Sequence, residues 1–461
     1  MWHALSLVAK AHPAPTICTI DGGAQHLPHC PLFATAMSFR PTLSAGLMLL
    51  ALTATPLHAG PVPTQAVRPL PAAGSGGNQA LQQGLAALQA KQPEEARKAF
   101  VAALRASPQS VEAMLGMAEL GFQARNDAET LKWLQQAERT APKRADVQAS
   151  LGRFFIARQQ ADKAEAALRK AVELDPKSVR PRLDLSELLL NRQANKEALP
   201  LLREAVKLEP SNALAHYGYG VALLNGGTIA EGEASLRKAA ELDPKNPAPW
   251  LVLARIQRSG AGAEPFLEEA LKRDPKSFEA LMLRAQWQSA DKDTKALRET
   301  LQRAAQANPK VADPWVRLGL LDEAAGKRSD ARRNYMAAIE RDPHQPVALN
   351  NLVMMGLSDG DDPARLETMA RRAVKAMPNN AQVLDTLSQT LRARKDKKGA
   401  LDAGEQAAKL APKDVSIQLH LAELHQWNGD RAAARKAVDV VLALQPKGKE
   451  ADKARDLLTR L

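Results

Sequence analysis

Cysteine occurs twice in 461 residues, at Cys18 and Cys30, and aromatic side chains make up only 4% of the chain. Trains of β-branched residues in strict alternation are missing, so no β-sheet is predicted. Glycine-rich phosphate loops and nucleophile elbows are missing too, which removes the usual nucleotide-binding and acyl-transfer signatures. The shortage of aromatics leaves few rings for stacking on bases, so nucleic acid is not an expected partner. What remains in abundance is Ala, Leu, Lys, Arg, Glu and Gln, all good helix formers, and the chain reads as all-α.

The formal net charge is +12. Basic charge can favour nucleic acid, anionic lipid or acidic polymers, but it does not determine fold. Lys and Arg are interleaved with Glu and Asp along nearly every helical stretch, which is the pattern of a solvated outer face rather than a dedicated basic patch.

Residues 1–36 differ from all that follows. They hold both Cys, four of the nine His (His3, His12, His26 and His29) and several Pro, without periodicity. They read as an upstream segment that is not part of the protein. Met37 opens a second beginning, with Arg40 as a positive n-region and Leu43 to Leu52 as a short apolar run. Residues 37–59 therefore read as a signal peptide cleaved after Ala59, with an apolar run too short for a comfortable membrane span. Without residues 1–59 the chain keeps 61 basic and 50 acidic side chains, a formal +11, and no cysteine. No disulfide, cysteine nucleophile or cysteine metal site is then available. Residues 60–77, rich in Pro and then Gly, read as a linker.

Proline carries an internal period. Pro108, Pro142, Pro176, Pro210, Pro244, Pro275, Pro309, Pro343, Pro378, Pro412 and Pro446 follow at intervals of 34, 34, 34, 34, 31, 34, 34, 35, 34 and 34 residues. Proline has no amide proton and disfavours helix in the residue before it, so each one ends a helix at a set place. Between prolines the same positions recur. Leu151-Gly152 and Phe155 share one helix face, then Ala164, Leu168 and Ala171 share another; Trp315, Leu318-Gly319, Ala331, Tyr335 and Ala338 repeat the scheme. Small residues recur where two helices must approach, and large apolar ones recur at stripe spacing.

With these residues the sequence resembles the tetratricopeptide repeat (TPR) family over residues 78–446. The resemblance implies a right-handed superhelical solenoid of about eleven helix-turn-helix repeats, with residues 447–461 as a C-terminal capping helix. Neighbouring pairs would share one core. It also implies that the first helix of each pair lines a concave groove. At the second, fifth, ninth and twelfth positions of those helices stand Leu183 and Leu190, then Leu214, Tyr217, Val221 and Leu224, then Leu251, Arg255 and Arg258. These are the candidate partner-binding residues, suited to an extended or helical peptide with the arginines meeting a carboxylate. The Lys/Asn set by which chaperone-binding members of the family grip a terminal carboxylate is not recognisable.

Four units depart from the pattern, the first of them Asn78–Pro108, where Gln83 and Gly84 stand in place of the usual Leu and Gly. The unit before Pro275 is short around Ser259 to Gly262, and the next has Arg284 at a usual Leu position. The unit before Pro378 carries an acidic turn, Asp359-Gly360-Asp361-Asp362-Pro363, in which Asp362 is expected to cap a helix that Pro363 begins. Repeats and linkers occupy nearly the whole mature chain, and His420 and His425 are not at a metal-pair spacing. No enzyme activity, cofactor or metal is expected. The expected function is a periplasmic scaffold for protein or peptide partners in an envelope assembly, secretion or exopolysaccharide system, without a membrane span after signal cleavage. Direct binding of an anionic polymer such as an acidic polysaccharide is the alternative.

Overall fold

The computed structural model describes residues 75–461, so the upstream segment, the signal peptide, both Cys and most of the linker lie outside the described residues. Within them are 23 helices and no strands. They fall into two units, one ending at Asp359 and one running from Gly360 to Leu461.

In the first unit the helices are α1 (Ser75–Gln89), α2 (Pro93–Ala106), α3 (Val111–Gln123), α4 (Asp127–Thr140), α5 (Ala145–Ala157) and α6 (Ala161–Leu174). Next come α7 (Val179–Asn191), α8 (Asn195–Leu208), α9 (Ala213–Asn225), α10 (Ile229–Leu242), α11 (Ala248–Arg255) and α12 (Gly260–Arg273). The unit closes with α13 (Phe278–Ala290), α14 (Thr294–Ala307), α15 (Asp313–Ala324), α16 (Arg328–Arg341) and α17 (Pro346–Asp359). The second unit holds α18 (Pro363–Ala376), α19 (Ala381–Ala393), α20 (Lys397–Leu410), α21 (Val415–Asn428), α22 (Arg431–Ala443) and α23 (Lys449–Arg460). Within each unit the helices pair along the chain, α1 with α2 through α15 with α16 in the first and α19 with α20 and α21 with α22 in the second, the odd-numbered member being the first helix. The fold is an all-α solenoid of helix-turn-helix repeats. Its first helix begins at Ser75, three residues ahead of the expected start of the repeats.

Two recurring turns produce this order. At the repeat proline, the preceding acid folds back on the chain: Asp175 accepts from the backbone N–H of Lys177, and Asp342 from that of His344. The lead-in of an acid before proline thus closes a turn as the helix stops. Inside each pair the first helix ends on a left-handed residue. Lys91, Arg125, Gln159, Gln193 and Gly227 occupy that place in the first five pairs, with φ between 56° and 84°. The amide after it reaches back to the last turn, as in Asn126 N to Gly121 O at 2.8 Å and Ala194 N to Leu189 O at 2.8 Å. This is a Schellman-type ending built at most pairs without glycine. The shortened unit has no such residue, and its first helix, α11, is only eight residues long.

Small residues set the approach of paired helices. A Cβ on Gly220 of α9 would stand 2.8 Å from Leu236 Cγ and 2.9 Å from the Gly232 carbonyl of α10. Tyr335 of α16 lies over Gly319 of α15 in the same manner. A second device joins repeats. Arg273 of α12 stacks 5.0 Å from the Trp250 ring and donates from Nε to Pro244 O at 2.7 Å. Arg341 of α16 repeats this on Trp315, at 4.6 Å, and on Pro309 O. Each stack supplies about 1 kcal/mol.

The irregular positions are absorbed locally. Arg284 pairs with Glu264 of α12 at 2.5 Å. Asp362 accepts from Ala364 N at 3.1 Å with Pro363 opening α18, the capping arrangement predicted for the acidic turn. In the second unit α23 packs on α21 and α22, burying Ala454 and Leu457 beside Val438 and Val441. Among the described residues no helix is long and apolar enough to cross a membrane.

Candidate functional site

In the first unit, first helices touch one another as well as their own partners: α1 meets α3, α3 meets α5, α5 meets α7, α7 meets α9, and α15 meets α17. Their shared face is a wall, and it carries four of the nine residues selected from the sequence. Leu183 and Leu190 of α7 and Leu214 and Tyr217 of α9 are half-buried on it. Leu190 and Tyr217 belong to one cluster with Val221, Leu224 and Leu236.

Three of the selected residues are corrected by the packing. Val221, Leu224 and Leu251 are core side chains with 3%, 1% and 8% of their surface exposed. Leu224 points at its own second helix: a Cβ on Gly232 of α10 would meet Leu224 Cδ2 at 2.8 Å. Val221 packs with Val252 and Leu253, and Leu251 with Leu267 and Leu281. These positions fill the space that small residues leave between helices, and no groove wall can be built from them. Arg258 is exposed beyond the end of α11.

Arg255, the last residue of α11, pairs with Glu279 of α13. It borders a cleft of about 350 Å³ whose apolar lining is Phe278, Met282, Leu283 and Val311. On the far side Arg317 pairs with Asp313 of α15 at 2.9 Å. The lining therefore mixes apolar side chains with Arg255, Gln286, Asp313 and Arg317, which suits an apolar group flanked by polar ones. Sequence reasoning stopped at Arg258 and missed this cleft. Continuing the same second and fifth positions into α13 would have reached Glu279 and Met282.

A polar stretch of the wall lies between α5 and α9. Arg180 Nε is 2.9 Å from Asp184 Oδ1, and the other carboxylate oxygen of Asp184 has no hydrogen-bond partner although the residue is buried. Burial raises the Asp184 pKa against the pull of Arg180 and Arg153. Burial, and then the Asp184 charge, raise that of Glu187, with Arg180 opposing. The Tyr217 phenol is also held up by burial. Arg153 of α5 loses hydration in the same place, which lowers its pKa. Ionisable groups are thus partly dewatered along α5, α7 and α9. The sequence flagged none of Arg153, Asp184 and Glu187, because a helix-face charge ordinarily reads as solvated.

Polar residues of the second unit's first helices are arranged differently. Asp385 Oδ2 of α19 lies 2.9 Å from His420 Nδ1 of α21 and accepts from Gln389 at 2.8 Å. Arg392 pairs with Glu423 at 2.9 Å, and Ser416 donates to Glu450 of α23 at 2.6 Å. Burial opposes the charged imidazole, but the hydrogen bond and charge of Asp385, helped by Glu423, keep the His420 pKa above its ordinary value despite Lys453. Among the described residues no group of three or more His, Cys, Asp or Glu could hold a metal ion.

Comparison with known proteins agrees with the repeat reading. Family models described as tetratricopeptide repeat match residues 81–145 and 183–247, and another of the same description matches 145–178. No curated protein matches the chain. Among solved structures, one from a functional characterization of Pseudomonas aeruginosa pilF is 18% identical, with a TM-score of 0.42 over 46% of this chain and 97% of that one. Yeast Tom70 is 13% identical, with a TM-score of 0.35 over 83% of this chain and 96% of that one. These likenesses carry no functional argument.

Proposed function

Because the chain belongs to the tetratricopeptide repeat family, we propose that it is a non-enzymatic scaffold of the cell envelope that holds protein partners on the wall of its first helices. The family is one of protein-interaction scaffolds, generally without catalytic activity. The carrying observation is the wall itself, where half-buried Leu183, Leu190, Leu214 and Tyr217 stand beside dewatered charges and the apolar cleft. A periplasmic location is supported by the signal-like segment at 37–59.

Two experiments test this. A photo-reactive side chain at position 217 should crosslink a discrete protein in cells, and one at Lys207, exposed on α8, should not. Equal labelling from both would remove the wall as the partner face. Protein recovered from the envelope fraction should begin at Gly60; a cytoplasmic chain that retains residues 37–59 would overturn the compartment.

A second reading, binding of an anionic polysaccharide, has one observation behind it. Basic charge gathers on second helices towards the C-terminus, as in α18 with Arg365, Arg371, Arg372 and Lys375 against Glu367. Such binding should fall steeply as salt screens it. An apolar peptide contact should be less sensitive to salt.

A further inference from the structure

Beyond apolar packing, two ties hold neighbouring pairs of helices together in the first unit. One is the close backbone approach of first helices, present at α1–α3, α3–α5, α5–α7, α7–α9 and α15–α17. The other is an ion pair between side chains of neighbouring pairs, as between Arg169 of α6 and Glu197 of α8. Where the first helices part, at α11–α13 and α13–α15, Arg255 still takes Glu279 and Arg298 takes Asp322. One junction has neither tie. Where α9–α10 meets α11–α12, the backbones of α9 and α11 stand further apart than at the close approaches. Among the described residues no ion pair crosses there, and the Lys238–Glu241 pair stays within α10.

What crosses that junction is Val221 against Val252 and Leu253, and the Arg237 guanidinium 5.1 Å from the Phe266 ring. Arg273 reaches only the connecting turn, at Pro244 O. Tyr217 faces Arg255 there without a hydrogen bond among the described residues. Apolar contact is non-directional and a cation over a ring tolerates sliding, whereas an ion pair and a backbone approach fix position. The shortened unit adds to this: α11 has eight residues, so it offers its neighbour less surface than the 13 of α9. The register shows what is missing. Arg237 is ninth in α10, as Arg169 is ninth in α6, but the third place of α12, where α8 has Glu197, is Gly262.

We propose that the first unit bends at the junction of α10 and α11, because neither tie crosses it, with α1–α10 and α11–α17 as two stiffer arms. Such a joint is a hinge, in which few contacts fix the angle between two packed bodies. Tyr217 and Arg255 stand on opposite arms, so the bend sets the gap between α9 and the cleft beside Arg255. The bend exists whether or not the wall holds a partner.

The second helices supply a ruler. Arg139, Lys207, Lys272 and Glu340 are exposed and occupy the same position of α4, α8, α12 and α16, each two pairs of helices from the next. Spin labels on Arg139→Cys, Lys207→Cys, Lys272→Cys and Glu340→Cys, taken two at a time in the full chain carrying Cys18→Ser and Cys30→Ser, give three distance distributions by pulsed electron paramagnetic resonance. The spread between positions 207 and 272 should be about twice that between 139 and 207 or between 272 and 340. Equal spreads, or a wider one at either of the other two, would overturn the joint. Gly262→Glu sets a carboxylate at the place of Glu197, opposite Arg237, where a Cβ would meet only the Ser259 and Gln257 side chains, at 3.3 and 3.4 Å. It should narrow the 207–272 spread to that of the other two and leave those unchanged. An unaltered spread would overturn the proposal as well. Should that variant melt below the unaltered chain, the three-way comparison, which leaves Gly262 in place, decides.

Discussion

The first-helix faces of the two units hold similar residue types to different ends. On α19 and α21, Asp385, Gln389 and His420 bond to one another, and Arg392 takes Glu423. One oxygen of Asp385 stays unpartnered, yet a cation-forming imidazole and an amide sit on the other. On α7, Asp184 keeps an open oxygen and Glu187 has no partner among the described residues. A closed network stabilises its own helices; an open one leaves a buried acceptor unanswered, at a cost in stability. The first-helix face can therefore be closed by its own side chains in one repeat and left with an unanswered acceptor in another.

The sharpest way to break this picture is to separate the frame from the face. Gly220→Val puts atoms against the Gly232 carbonyl, which cannot yield, and should destabilise the first unit by about 3 kcal/mol in denaturant unfolding. Gly404→Ala in the second unit meets only the Leu424 and Ser388 side chains, at 2.5 and 3.2 Å, and should cost about 1 kcal/mol. Equal costs would mean that backbone approach does not limit the first unit.

Next in size is the pair of acids. Asp385→Asn removes a carboxylate that is hydrogen-bonded to His420 and Gln389, and should cost about 2 kcal/mol. Glu187→Gln removes a carboxylate whose ionised form is disfavoured by burial, so the melting temperature should stay level or rise. Loss of stability in both would end the contrast between closed and open faces.

A third test uses pH. The His420 pKa is raised in the fold, so its contribution is full below the unfolded value near 6.5 and is lost as pH rises through the folded value. Corrected hydrogen-exchange protection of α19 and α21 should be about fivefold greater at pH 5.5 than at pH 8.5, an effect near 1 kcal/mol. His420→Gln should flatten that dependence. An unchanged profile would show that the network does not depend on the imidazolium.

The smallest effect concerns the left-handed turns. Gln193→Gly relieves a non-glycine residue at φ 64°, and Lys395→Gly does the same in the second unit. Each should stabilise by about 0.5 kcal/mol, the relief of the turn exceeding the added freedom of the unfolded chain. Destabilisation in either unit would show that the side chain at that place makes a contact worth more than the strain.

Much of the frame was legible because its causes are local. Proline stops a helix wherever it falls, the acid before it closes the turn, and small residues at matched positions announce a close helix approach. The Asp362 cap was legible on the same ground. The left-handed turn residues were hidden, since Lys, Arg and Gln do not advertise that conformation. The candidate site was legible only in outline. Leu183, Leu190, Leu214 and Tyr217 are on the wall, while Val221, Leu224 and Leu251 fill the core.

The amino-acid sequence by itself determined the repeat, its period and the pairing of helices, because each depends on residues a few positions apart. Tertiary structure alone decided which side chains stay open. Leu224 and Leu190 have the same residue type and the same repeat position, but Gly232 draws Leu224 inward. Glu187 looks like any solvated glutamate until the packing of α7 strips part of its water. Burial is set by neighbours from other helices, and no reading along one helix contains it.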